Sequence, residues 1–150
     1  MRKLGDSVVP KLRAFLGRLV PTANDSGLRQ RWTDLLAVIR AAQRRGVKLL
    51  VGTDYQVGSP GIPGASLHWE LEFFVQAGIP PLEVLRIATE QAAEAVGAED
   101  DVGTLEVGKL ADIVLLDANP LEDIKNTQAI WRVIKGGFVF DPEKLQPERN

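Results

Sequence analysis

The chain has 150 residues, 45% of them hydrophobic and 25% charged, with a formal net charge of −2 at pH 7. That length and balance suit a soluble globular domain with a real core, and the charge gives no electrostatic footing for nucleic acid or an anionic membrane. There is no cysteine and one histidine, His68, so these residues alone cannot form a disulfide, a thiolate zinc site or a catalytic zinc site of several imidazoles.

Residues 1–27 read as an N-terminal helical segment. Leu4, Val8, Leu12, Phe15, Leu16 and Leu19 recur at helical spacing between basic residues, and Pro10 breaks or starts a helix there. The stretch lacks the continuous apolar core and small-residue cleavage site of a signal peptide. No apolar run approaches the ~20 residues needed to span a bilayer. The expected location is cytoplasmic, without membrane contact.

From residue 28 to 45, Trp32, Leu35, Leu36, Ile39 and Ala42 define one face of an amphipathic helix, with Ser26 placed to cap it. Arg44 and Arg45 suit its last turn, and Gly46 suits the position just beyond. Residues 47–51 are short, aliphatic and β-branched, and Lys48 is the only polar one. That predicts a buried parallel strand covered on both faces. Asp54 follows where the run stops, the end of a strand at which α/β barrels and open α/β sheets place their chemistry. Gly-Thr-Asp is equally a good turn, so Asp54 has a local reading as well as a functional one.

Residues 55–65 form a Gly/Pro-rich loop of a length that tends to be functional, and a non-catalytic small-molecule site there is one alternative. Ser66 is the expected N-cap of the next helix, with Glu70 and Glu72 early in it and Gly78 closing it. Pro81 opens a further helix expected to run to about Val96, with Gly97 ending it. His68 lies in the first turn after the loop, as a substrate contact or as an ordinary packing residue.

The pattern then changes to turns and short strands. Residues 103–109 are turn-rich, and with no following helix they are not a phosphate-binding loop. Residues 111–117 predict a strand. Residues 130–135 and 138–140 predict two more, joined through Gly136-Gly137 as a hairpin. Residues 142–150 read as a charged tail.

Taken together, Gly46-Val47-Lys48-Leu49-Leu50-Val51-Gly52-Thr53-Asp54, Glu70-Leu71 through Pro81, Ala88-Thr89 through Ala93, and Gly103 through Asp112 resemble the C-terminal portion of the metal-dependent amidohydrolase superfamily. The imidazolonepropionase-like and prolidase-like dipeptidase branch is the nearest in flavour. The resemblance implies an α/β fold, with residues 28–97 as part of a (β/α)8 barrel (its last strand and flanking helices). It assigns residues 98–141 to part of a small β-sandwich. It further implies hydrolysis of amide, cyclic-amide or dipeptide C–N bonds with a divalent metal, zinc foremost.

Asp54 matches the aspartate that binds the metal and handles the proton of the attacking water. Lys109 and Asp112 match family positions as turn and strand-start residues. The family's histidine ligands and its mid-barrel lysine or glutamate have no counterparts here. The chain is therefore expected to be the last third of an enzyme, inactive and unable to hold the metal by itself. The rival expectation is an interaction protein that docks on an N-terminal barrel chain or pairs with its own copies.

Overall fold

The structure, a computed structural model, describes residues 26–53 and 64–144. Four helices come first: α1 (Ser26–Arg44), α2 (Ala65–Gln76), α3 (Pro81–Ala88) and α4 (Glu90–Val96). A strand β1 (Ile113–Leu116), a 3₁₀ helix (Ile124–Gln128), β2 (Ile130–Lys135) and β3 (Phe138–Phe140) complete them. The expected N-terminal helix, nearly all of the 55–65 loop and most of the charged tail lie outside the described residues.

Three helix ends are closed in the same way. Gly46, Gly78 and Gly97 have φ of 72°, 90° and 70°, a region that costs glycine nothing. The following amides of Val47, Ile79 and Ala98 then reach back to the carbonyls of Ala42, Phe74 and Ala93 at 3.0–3.1 Å, which satisfies acceptors the helix leaves open. At Gly78 there is a second reason for glycine. The Arg40 guanidinium lies where a Cβ would stand, while its Nε donates to the Ala77 carbonyl at 2.6 Å. A cation thereby sits on the negative end of α2 and ties α1 to it.

The core forms where these helices meet. Leu71 and Phe74 of α2, Ile79 of the turn, Val84 and Ile87 of α3, and Ile124 of the 3₁₀ helix make one buried cluster. Ile39, Leu49 and Val51 pack against its margin. Trp32 meets Phe73 edge-on at 4.6 Å between ring centroids, an arrangement aromatic pairs favour.

The three strands form an antiparallel meander in the order β1-β2-β3. Gly136 and Gly137, with φ of 56° and 83°, supply the two left-handed positions that a tight hairpin needs. Between β1 and β2 the register slips after Leu115: Leu115 pairs with Arg132 but Leu116 with Ile130. Trp131 is thus the extra residue of a bulge, and the Arg132 guanidinium lies 5.0 Å from its ring centroid.

Several expectations need correction. Residues 47–51 form no strand ladder among the described residues. They run extended, with Leu49 and Val51 turned to the core but Val47 55% and Leu50 48% exposed. A ladder requires a neighbouring strand, and no described strand pairs with this segment. One face is covered, not both. The described residues give four helices, a 3₁₀ helix and one small antiparallel sheet.

The helix expected over residues 81–96 is two. At Thr89 the backbone leaves helical geometry (φ −123°, ψ −78°), and the Thr89 hydroxyl bonds back to the Leu85 carbonyl at 2.8 Å, a local contact that competes with helix continuation. Ser66 does not cap α2, which starts one residue earlier after Gly64 with no side-chain cap. The 111–117 strand shortens to Ile113–Leu116.

Ile87, 2% exposed at the centre of the cluster, is expected to cost about 2–5 kcal/mol when cut to alanine. Val107→Ala, on a fully exposed side chain, is expected to change stability by no more than about 0.5 kcal/mol. Urea titrations of the two variants check the contrast.

Candidate active-site segment

The extended stretch after α1 is attached to the helices at four points, two apolar, one a backbone-to-carboxylate bond and one a surface ion pair. Leu49 and Val51 are the apolar pegs. The third point is polar: the Gly52 amide donates to the Glu70 carboxylate, with Oε1 and Oε2 both at 3.1 Å. Glu70 sits on α2 beside the buried Leu71, so its carboxylate is carried by a helix whose own position is set by the core. On the other side of the segment, Lys48 Nζ reaches Glu94 of α4 at 2.7 Å. That pair is open to solvent and contributes little. The segment is described as far as Thr53, and Asp54 lies outside the described residues.

His68 has a different setting. Its Nδ1 is 2.9 Å from Oγ1 of the buried Thr127, and that hydroxyl donates to the Ile124 carbonyl at 2.8 Å. With the hydroxyl proton committed there, Oγ1 accepts from Nδ1–H, which leaves Nε2 as the unprotonated nitrogen of the neutral ring. Partial burial holds the imidazole pKa below its ordinary value, and the nearby Glu72 carboxylate opposes this without cancelling it. His68 and Glu70 are two residues apart on one helix, about 200° around its axis. Glu70 is thus committed to the 47–53 segment, and His68 to the 3₁₀ helix.

Lys109 and Asp112 hold turns, as their sequence setting suggested. Lys109 Nζ donates to Thr104 Oγ1 at 2.6 Å. Asp112 receives the Gly136 amide at 2.8 Å and pairs with Lys135, so it staples the hairpin to the start of β1. The Lys135 ammonium and the Gly136 N–H hold its carboxyl below the usual carboxylate range. Gly103, at φ 97°, is where the turn-rich stretch touches the helices: a Cβ there would meet that of Ala93 at 2.6 Å. Among the described residues no group of three or more histidine, cysteine, aspartate or glutamate side chains is placed to hold a metal ion, and none of the described helices is long and apolar enough to cross a membrane.

The sequence profile of the amidohydrolase family matches residues 2–139. The chain belongs to the amidohydrolase family. It is 36% identical over 138 residues to the ochratoxinase of Aspergillus niger, covering 83% of this chain and 28% of that protein. It is 41% identical over 81 residues to the imidazolonepropionase of Symbiobacterium thermophilum, covering 51% of this chain and 19% of that protein. The fold resembles the crystal structure of a putative prolidase from Bifidobacterium longum with a TM-score of 0.64 and 37% identity, over 70% of this chain and 26% of that one. This amidohydrolase-family chain therefore spans about a quarter of the length of the relatives it matches.

Of the residues singled out in the sequence, the structure brings His68 to Thr127 and Asp112 to Lys135. The Glu70–Gly52 contact had no signal beyond an acidic residue near a helix start, because it joins residues 18 apart in sequence.

His68 also makes stability depend on pH. Its folded-state pKa is depressed, so below about pH 6.5 the unfolded chain binds more protons and folding weakens as the pH falls. Melting temperatures at pH 7.5 and 5.5 are expected to differ more for the native chain than for His68→Gln. An equal difference would remove the assignment.

Proposed function

We propose that the chain supplies the C-terminal portion of a metal-dependent hydrolase of C–N bonds. Its substrates are small amides, N-acyl amino acids, cyclic amides or dipeptides. The observation that carries this reading is the family match over nearly the whole chain, residues 2–139. Asp54 is the metal-ligand and general-base position. It follows in sequence the segment that Leu49, Val51 and the Glu70–Gly52 bond hold against the helices. A carboxylate in that role takes the proton of the attacking water and returns it to the leaving nitrogen. His68 is retained as a substrate contact through Nε2, its Nδ1 being engaged by Thr127.

A bound divalent ion, zinc foremost, supplies a water acidified toward pKa ~7. The described donor set does not fit such an ion, which takes three or four protein ligands in zinc sites. With one histidine in the sequence, the remaining ligands belong to polypeptide other than these 150 residues. The isolated chain is therefore inactive.

Purified chain with zinc or manganese and a panel of N-acyl amino acids and dipeptides is expected to give no turnover above an Asp54→Asn control. The positive test is a chimera in which this chain replaces the segment it matches in the Aspergillus niger ochratoxinase. Hydrolysis by a folded chimera is expected to fall by about 10²-fold or more with Asp54→Asn, the scale of a lost general base. Full activity in that variant would remove Asp54 from the chemistry.

One observation favours a second reading, an interaction role in the cytoplasm. Phe138 and Val139 on β3, Val114 on β1 and Leu105 and Val107 in the preceding turns are exposed large apolar side chains, and exposed apolar surface is what a partner would cover. Docking on an N-terminal barrel chain, or self-association, would cover them. Size-exclusion runs across a hundredfold concentration range are expected to show a rising apparent mass. A constant monomer with low hydrophobic-dye binding would argue against it.

A further inference from the structure

We infer that the groove between α1 and the C-terminal end of α2 binds a small organic anion, a carboxylate carried on an apolar body. Every residue involved is described, and none belongs to the segment that leads to Asp54.

The groove has a volume of about 540 Å³, within the range of roughly 300–1,000 Å³ that small-molecule sites occupy. Leu36, Ala37, Arg40 and Arg44 reach it from α1, at spacings that place them on one stripe of the helix. Arg45 follows at the end of α1, and Ala77 lies on the other side. Aliphatic side chains thus supply the walls and three guanidinium groups supply the charge. No acidic residue lines the groove.

These three cations stand apart from the others. Lys48, Arg86, Lys109, Arg132, Lys135 and Lys144 each pair with a carboxylate. Arg40, Arg44 and Arg45 have no carboxylate partner among the described residues, and Arg40 is instead bonded to the Ala77 carbonyl. The chain as a whole carries −2, so this positive charge is a local concentration. Arg40 and Arg44 are four residues apart, where like charges repel. The α1 dipole favours cations in its last turn, and Arg40 serves the end of α2 in the same way. Neither role supplies a counter-ion. An anion between the guanidinium groups does.

The donors and the walls select its chemistry. A guanidinium fork matches the geometry of a carboxylate and gives up water more readily than an ammonium. Arg40 is already held, with Nε on the Ala77 carbonyl and its guanidinium in the space where Gly78 has no Cβ. Binding therefore orders fewer side chains. The arginines gather at the C-terminal ends of two helices, whose partial negative charge disfavours a multiply charged phosphate. One carboxylate with an apolar body along Leu36, Ala37 and Ala77 satisfies both charge and walls.

The test titrates the full 150-residue chain, labelled with ¹⁵N, with sodium octanoate at constant ionic strength. The amides of Ala37 and Ala77 are expected to shift saturably. Octanamide, the same body without the charge, is expected to bind about tenfold or more weakly, and so is inorganic phosphate. Arg44 and Arg45 are exposed, so their variants leave the core intact, which the amides of Val84 and Ile87 report. Arg44→Gln and Arg45→Gln are each expected to weaken octanoate about two- to fivefold, and the double variant about tenfold. Arg31→Gln, exposed on α1 but outside the groove, is expected to bind as the native chain does.

Octanamide binding as tightly as octanoate overturns the anion. Phosphate binding as tightly or tighter overturns the carboxylate on an apolar body. Shifts that do not saturate, or an Arg31→Gln loss as large as that of the double variant, overturn the site itself.

Discussion

The described structure depends on one packing event: α2 and α3 close over Leu71, Phe74, Ile79, Val84 and Ile87, and Ile124 enters from the far side of the sequence. Burial of each such side chain is worth about 1.5–3 kcal/mol, and no other apolar cluster of fully buried residues is described. Everything else takes its position from this cluster. α1 is tied to it through Ile39 and the Arg40–Ala77 bond. The extended segment leans on it through Leu49 and Val51, and the 3₁₀ helix carries the sheet toward it.

That dependence explains why the segment before Asp54 is held although it has no strand partner among the described residues. A barrel strand is normally positioned by its ladder neighbours. Here position comes from side chains, apolar at 49 and 51 and carboxylate at 70. Val47 and Leu50 are left exposed, and no residue of the three strands is fully buried. An amidohydrolase-family chain spanning about a quarter of its relatives exposes apolar surface of this kind.

His68 and Glu70 show how helix phase sorts chemistry. Two residues apart on α2, they serve different neighbours. One is locked by Thr127 into a single tautomer with a lowered pKa, and the other is aimed at a backbone amide. A histidine beside a loop and a glutamate beside a histidine look alike in a linear reading. Only the helix phase and the elements packed on each side tell them apart.

The sequence by itself determined the local structure. Glycines at 46, 78, 97, 136 and 137 marked helix ends and a hairpin, because a left-handed backbone is open to glycine at no steric cost. Periodicity placed α1, α2 and the strand pair, and the ordered motifs led to the amidohydrolase family. The break at Thr89 escaped it, since a threonine within a regular apolar repeat carries no sign that its hydroxyl will turn on the preceding carbonyl. So did the bulge at Trp131, which is a matter of register between two strands. The single covered face of residues 47–51 was beyond it too, because an aliphatic run states only that burial is favourable. Tertiary structure alone decided which face found a partner, and that a carboxylate on another helix would hold the amide next in line.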